Sequence, residues 1–154
     1  MKVFPLTTHE NQLSYNKEAR MAGIYHENLL RIFSANPKRT VIYKGKAMDI
    51  AYTLMELASY GDLTDLINQS HLLREDKFVR TLFHQLVNGV EFLHKLGLAH
   101  LDLKLENLLL GDDCRLKIID FDSSFKIGDI DVLARGTKNF CAPELKSRTA
   151  KQPF

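Results

Sequence analysis

The sequence predicts an α+β fold in two lobes. Strand signals dominate the first half of the chain and helical periodicity the second, and the pattern breaks at Ser59-Tyr60-Gly61, a seam near residues 56–62. A chain of 154 residues, 45% of them hydrophobic, is long enough to bury a core.

The elements follow in order. Tyr15 to Tyr25 reads as a helix with Ser14 as N-cap and Lys17, Glu18 and Arg20 as charged positions. Leu29 to Ser34 and Val41 to Tyr43 read as short strands around an Asn36-Pro37 turn, and Ala51 to Glu56 as another strand. Asp62 caps a short helix from Leu63 to Asn68. Arg74 to Leu96 is the clearest element. Phe78, Leu82, Leu86, Val90 and Leu93 recur at helical spacing, and Val79, Phe83 and Val87 widen the stripe, which predicts a core-facing helix. Gly97 is its stop. A polar loop around Asp102 follows, then strands at Leu108–Leu110 and Leu116–Ile119 and a long irregular segment.

Composition excludes several functions. The net charge of +2, with no block of like charges, gives no reason to expect nucleic acid as a partner. No apolar run reaches the roughly 18 residues of a membrane span, and MKVFPLTTHE has no signal-peptide character. Cys114 and Cys141 are too few for a disulfide framework and fit a reducing compartment, so cytoplasm or nucleus is the expected location. The six histidines show no zinc spacing.

The chemistry lies in an ordered set of short motifs. HLDLKLEN, His100 to Asn107, holds Asp102, Lys104 and Asn107 among leucines. Asp120-Phe121-Asp122 follows, then Gly136-Thr137 and Ala142-Pro143-Glu144. Each piece alone is weak; the order and distances together are specific. The sequence resembles the eukaryotic protein kinases. HLDLKLEN is similar to the catalytic loop HRDLKxxN, DFD to DFG, and GTKNFCAPE to the end of the activation segment. MELASYGDL is similar to the hinge between kinase lobes, NKEARMAGIYHENLLRI to the helix αC region, and MKVF to the end of the strand with the ATP lysine.

The resemblance implies ATP-dependent phosphoryl transfer to serine and threonine hydroxyls of proteins, with Mg²⁺. Asp102 would orient the hydroxyl and accept its proton, and Lys104 would neutralise charge on the moving phosphoryl. Asn107 and Asp120 would ligate Mg²⁺. Lys2 would hold the phosphates, paired with Glu18. Met55 would be the gatekeeper, and the backbone of Glu56, Leu57 and Ala58 would face adenine. Asp62 would meet the ribose or a basic substrate, and Glu106 could do the latter. Lys104 and Thr137 resemble the serine/threonine-specific members; Thr137 would bridge to Asp102 and Lys104, and Glu144 would end the activation segment. Plainer roles stand beside these: an exposed helix carboxylate for Glu18, no role for Lys2, a helix cap for Asp62.

The chain also departs from the pattern. Leu101 replaces the arginine that in the family pairs with a phosphorylated loop residue, and no Ser, Thr or Tyr lies between Ser124 and Thr137. Control by phosphorylation of that loop is therefore not expected. Asp122 replaces the glycine of DFG. The resemblance further implies a partial domain over 1–154, with small lobe 1–55, hinge 56–62 and large lobe 63–154. It would lack the first small-lobe strands, with their glycine-rich loop, and the last large-lobe helices. Two alternatives follow from these departures: a catalytically impaired kinase-like binding module, and a non-functional truncated product.

Overall fold

The computed structural model describes residues 1–69, 75–128 and 136–143. A three-stranded antiparallel sheet forms first, from β1 (Lys2–Pro5), β2 (Ile32–Tyr43) and β3 (Lys46–Met55), in the order β1-β3-β2. The β2–β3 reversal lies at Lys44-Gly45, with φ of 49° and 75°. Two consecutive residues with positive φ make the tight hairpin turn that matches strand twist. The expected Asn36-Pro37 turn is therefore corrected. Both residues lie inside β2, where the register slips between Asn36 and Arg39. β2 is an edge strand, so the N–H missing from Pro37 removes no essential ladder bond.

Helix α1 (His9–Ala19) crosses this sheet. It begins and ends about a turn and a half earlier than the sequence suggested. Thr8, not Ser14, is the N-cap: its Oγ1 accepts from the Asn11 N–H at 3.2 Å. The physical reason is that α1 buries only Tyr15 and Glu18, so it carries almost no apolar periodicity to mark its ends. Tyr15 packs edge-on against Phe4 at 5.7 Å and, with Ala51, forms a small core between helix and sheet.

The second half is helical with short strands. α2 (Leu63–Gln69) starts at Asp62, whose Oδ1 accepts from the Asp65 N–H at 2.9 Å. α3 (Asp76–Lys95) is the long helix, and Gly97 follows its end; Arg74, expected in its first turn, lies outside the described residues. Leu82 and Leu93 of α3 are buried in the main core, with Phe78, Leu86 and Val90 packed against it. Val79, Phe83 and Val87 are exposed, which narrows the core-facing stripe expected from the sequence. One helix face can meet only one neighbouring layer, here the β6 side, and the flanking apolar positions lie beyond it.

Strand β4 (Leu98–Ala99) leads into the polar loop, β5 (Leu108–Leu110) pairs antiparallel with β6 (Leu116–Ile118), and β7 (Phe125–Lys126) returns to β4. The stretch before β2 ties the two halves together: Leu30 donates to the Ile118 carbonyl at 3.0 Å, and Ile118 to the Asn28 carbonyl at 2.9 Å. No described helix is long and apolar enough to cross a membrane.

Candidate active site

Where the sheet meets β5 and β6, a cleft of about 350 Å³ opens. That is a usual size for a small-molecule site. Lys2 and Glu18 line it, with Met55, Glu56, Leu57 and Ala58 on one rim and Asp120 and Phe121 opposite. These residues come from β1, α1, the end of β3 and the turn after β6, so the fold gathers positions that are far apart in sequence. Ile32, Leu30 and Leu109 complete the walls. Sequence reading missed them because apolar wall residues look like any core strand. The signal was the alternation of Leu108, Leu109 and Leu110, of which Leu108 and Leu110 are buried and Leu109 turns to the cleft. Asp62 does not line the cleft; one of its carboxylate oxygens caps α2.

The charges in the cleft are paired. Lys2 Nζ donates to Asp120 Oδ1 at 2.6 Å and to Glu18 Oε2 at 3.3 Å. Glu18 is 2% exposed, and the same oxygen accepts the Phe121 N–H at 2.9 Å. Burial pushes the Glu18 carboxyl above its ordinary value, by more than Lys2 and the Phe121 amide pull it back. Burial also pulls Lys2 down, but the two carboxylates outweigh it and hold the ammonium above its ordinary value, hence charged. Glu18 is thus a buried, paired carboxylate and not a solvated helix position, and Lys2 has a defined place in β1.

Asp102 is also buried, and several groups hold it. His100 anchors the start of its loop: the Asp102 N–H donates to Nδ1 at 3.3 Å, and Nε2 lies 2.8 Å from the Ile119 carbonyl. An accepting Nδ1 requires the proton on Nε2, so His100 is the neutral tautomer that donates to Ile119. Burial holds its pKa below the ordinary value, although the Ile119 carbonyl works against that. Leu101 takes φ 65°, a left-handed conformation costly for leucine, and bends the chain between His100 and Asp102. Gly136 meets this bend: a Cβ there would fall 2.3 Å from the Leu101 carbonyl oxygen, so only glycine permits the approach.

That approach brings Thr137 onto Asp102. Asp102 Oδ1 accepts from the Thr137 N–H at 2.7 Å and from its hydroxyl at 2.8 Å. Lys104 Nζ donates to Thr137 Oγ1 at 2.7 Å and lies 3.1 Å from Asp102 Oδ2. Asn107 Nδ2 donates to the Asp102 carbonyl at 2.8 Å and to Oδ2 at 3.1 Å. Burial raises the Asp102 carboxyl, but the bonds from Thr137 and Lys104 together exceed it and hold the pKa below the ordinary aspartate value. Asp102 is therefore a carboxylate at neutral pH, able to accept and unable to donate. Glu144 lies outside the described residues.

Asp120 takes φ 64° and ψ 77°, which aspartate tolerates better than most residues. Asp122 falls in the short turn Phe121–Ser123 and is not among the residues with positive φ, so glycine is not required there.

A divalent cation fits the donor set. Asn107 commits its nitrogen to Asp102, which leaves Oδ1 as a hard oxygen donor, and Asp120 offers a carboxylate. Among the described residues no three His, Cys, Asp or Glu side chains converge on a metal site. Two oxygen ligands suit Mg²⁺, which keeps water and phosphate oxygens for its other positions.

The chain is 41% identical over 98 residues to an SNF1-related protein kinase catalytic subunit alpha, KIN12, of Arabidopsis thaliana, covering 62% of this chain and 20% of that protein. It is 38% identical over 104 residues to human NUAK family SNF1-like kinase 1, covering 68% and 14% respectively. It is 37% identical over 132 residues to CBL-interacting serine/threonine-protein kinase 9 of Arabidopsis thaliana, covering 82% of this chain and 27% of that one. The chain thus spans between 14% and 27% of these relatives' lengths. The profile of the protein kinase domain matches residues 2–153, nearly the whole sequence, and the chain belongs to the protein kinase family.

Proposed function

We propose that this chain transfers the terminal phosphoryl group of ATP to serine and threonine hydroxyls of proteins. The observation that carries the reading is the arrangement at Asp102: a carboxylate kept ionised, aimed by His100 and Asn107, and flanked by the Lys104 ammonium. In such a transfer the substrate oxygen bonds to the γ-phosphorus, the bond to ADP breaks, and the hydroxyl proton passes to a base. Asp102 orients the hydroxyl and takes that proton. Its low pKa makes it a weak base, which suits a loose transition state in which the proton leaves late. Lys104 stabilises the charge spread over the equatorial oxygens.

Nucleotide binding belongs to the cleft. The Glu56 N–H is spent on the Arg31 carbonyl at 2.9 Å, so the rim offers the Glu56 carbonyl and the amides of Leu57 and Ala58 to a purine edge. Lys2, held charged by Glu18 and Asp120, is the cation in the cleft that would meet the phosphates. Asn107 and Asp120 would hold Mg²⁺, which would neutralise phosphate charge.

Lys104 and the Thr137 bridge support serine/threonine acceptors, as does the serine/threonine kinase in the name of one relative. The test is transfer of label from γ-labelled ATP to three peptides that differ only in a Ser, Thr or Tyr acceptor. Labelled Ser and Thr with unlabelled Tyr is the expected result. Labelled Tyr alone, or no label in any peptide, refutes the reading.

A further inference from the structure

The Lys2–Glu18 pair joins β1 to α1, and α1 in turn rests against the turn that follows Asp120. Three side chains near the C-terminal end of α1 reach that turn or the strand β7 directly after it. Glu18 accepts the Phe121 N–H at 2.9 Å. Lys17 Nζ stands 3.7 Å from the centre of the Phe125 ring, a cation–π contact. Arg20 Nη2 donates to the Ser124 carbonyl at 2.7 Å and to Ser124 Oγ at 2.6 Å. Ser124 is 2% exposed, and its hydroxyl donates in turn to the Phe121 carbonyl. Arg20 and Glu18 therefore grip the two sides of one short turn, one through Ser124 and the other through the Phe121 amide.

Arg20 holds its side of the turn through two bonds. Its bonds are charge-assisted and partly buried, and a cation at a helix C-terminus also meets the favourable end of the helix dipole. These two bonds need no phosphate: Leu101 cannot bind one, and the segment between Ser124 and Thr137 contains no hydroxyl to receive one.

We propose that Arg20 is a positioning residue for the nucleotide site: by clamping α1 to Ser124 it sets the Lys2–Glu18 pair permanently, without any modification. The proposal rests on the nucleotide reading of the cleft given above. It predicts that Arg20→Ala weakens MgATP binding about tenfold, a usual size for coupling between sites, while Arg20→Lys, which keeps a donor for the Ser124 carbonyl, recovers most of it.

Two measurements on the full chain separate this role from general stabilisation. Hydrogen exchange at the Phe121 amide reports the clamp directly and needs no nucleotide. Titration with MgATP reports its effect on the site. In Arg20→Ala, Phe121 should lose protection while amides in the middle of α3 keep theirs, and the MgATP affinity should fall. Unchanged Phe121 protection overturns the clamp, and lost protection with unchanged MgATP affinity overturns its positioning role. Equal loss of protection in Phe121 and α3 also overturns it, since Arg20 would then support the whole fold. Failure of the wild-type chain to bind MgATP refutes the nucleotide reading instead, and is seen before any variant is compared.

Discussion

At the residue scale the account depends on how Asp102 is held. Thr137 contributes a backbone bond and a hydroxyl bond to Oδ1, and its hydroxyl also accepts from Lys104. Thr137→Val keeps the backbone bond and removes the hydroxyl. Hydrogen bonds to charged groups are worth about 1.5–3 kcal/mol, and part of this one is recovered by water, so kcat should fall about tenfold. The KM for ATP should change little, because Thr137 does not line the nucleotide cleft, and Thr137→Ser should restore the rate. Steady-state kinetics with both substrates varied checks this.

His100 gives the pH prediction at the same scale. Its folded pKa lies below the ordinary value of 6.5, so between the two values the unfolded chain binds a proton that the folded chain refuses. Stability from His100 is therefore complete above about pH 6.5 and is lost as pH falls through that window toward the folded value. Urea unfolding at about pH 7.5 and about pH 5.5 should show a smaller pH-dependent loss in His100→Phe than in wild type. Equal losses would mean that His100 is not neutral in the folded state.

At the element scale, α3 sets the packing against β6. Gly89 faces this contact: an added Cβ would lie 2.8 Å from Ile118 Cδ1 and 3.2 Å from the Asn28 carbonyl oxygen. Alanine would gain about 1 kcal/mol of helix propensity at this position. Overpacking costs about 1–3 kcal/mol, and the Asn28 backbone cannot yield as a side chain can. The clash should win, with a net loss of about 1 kcal/mol in urea unfolding. A stabilised Gly89→Ala would show that the α3–β6 contact is looser than described.

Elements also show what a sequence can and cannot tell. The long helix was readable because Phe78, Leu82, Leu86 and Leu93 repeat at helical spacing, and α2 because Asp62 caps it. α1 was misplaced because a helix that buries Glu18 in place of an aliphatic residue leaves no apolar trace. The Asn36-Pro37 pair looked like a turn locally, yet the sheet register absorbs it as an irregularity and reverses at Lys44-Gly45. The order of the motifs and the family resemblance singled out Asp102, Asn107 and Asp120 as candidates, since those positions are read from the sequence itself. The Arg20–Ser124 contact joins residues 104 positions apart and involves ordinary residue types, so nothing in the sequence marked it.

At the scale of the whole molecule, the cleft is assembled from β1, α1, the end of β3 and the turn after β6, and it stays assembled only if those parts keep their relation. The chain does this with contacts among its own residues. Treatment with a broad phosphatase should leave its phosphotransfer rate unchanged, because the segment between Ser124 and Thr137 has no acceptor and Leu101 no means to read one. A rate that collapses on dephosphorylation, together with a phosphosite in that segment, would contradict this.

The central claim is that Asp102 performs the chemistry while Lys2, Glu18 and Asp120 hold the nucleotide. One comparison separates these roles: MgATP affinity and the rate of phosphoryl transfer to a serine peptide, measured on wild type and Asp102→Asn. Asparagine keeps the size of the side chain but cannot take a proton. The expected result is unchanged MgATP affinity with transfer reduced by about 10²–10⁴, the usual contribution of a positioned acid–base group. Transfer that persists in Asp102→Asn at the wild-type rate would contradict the claim.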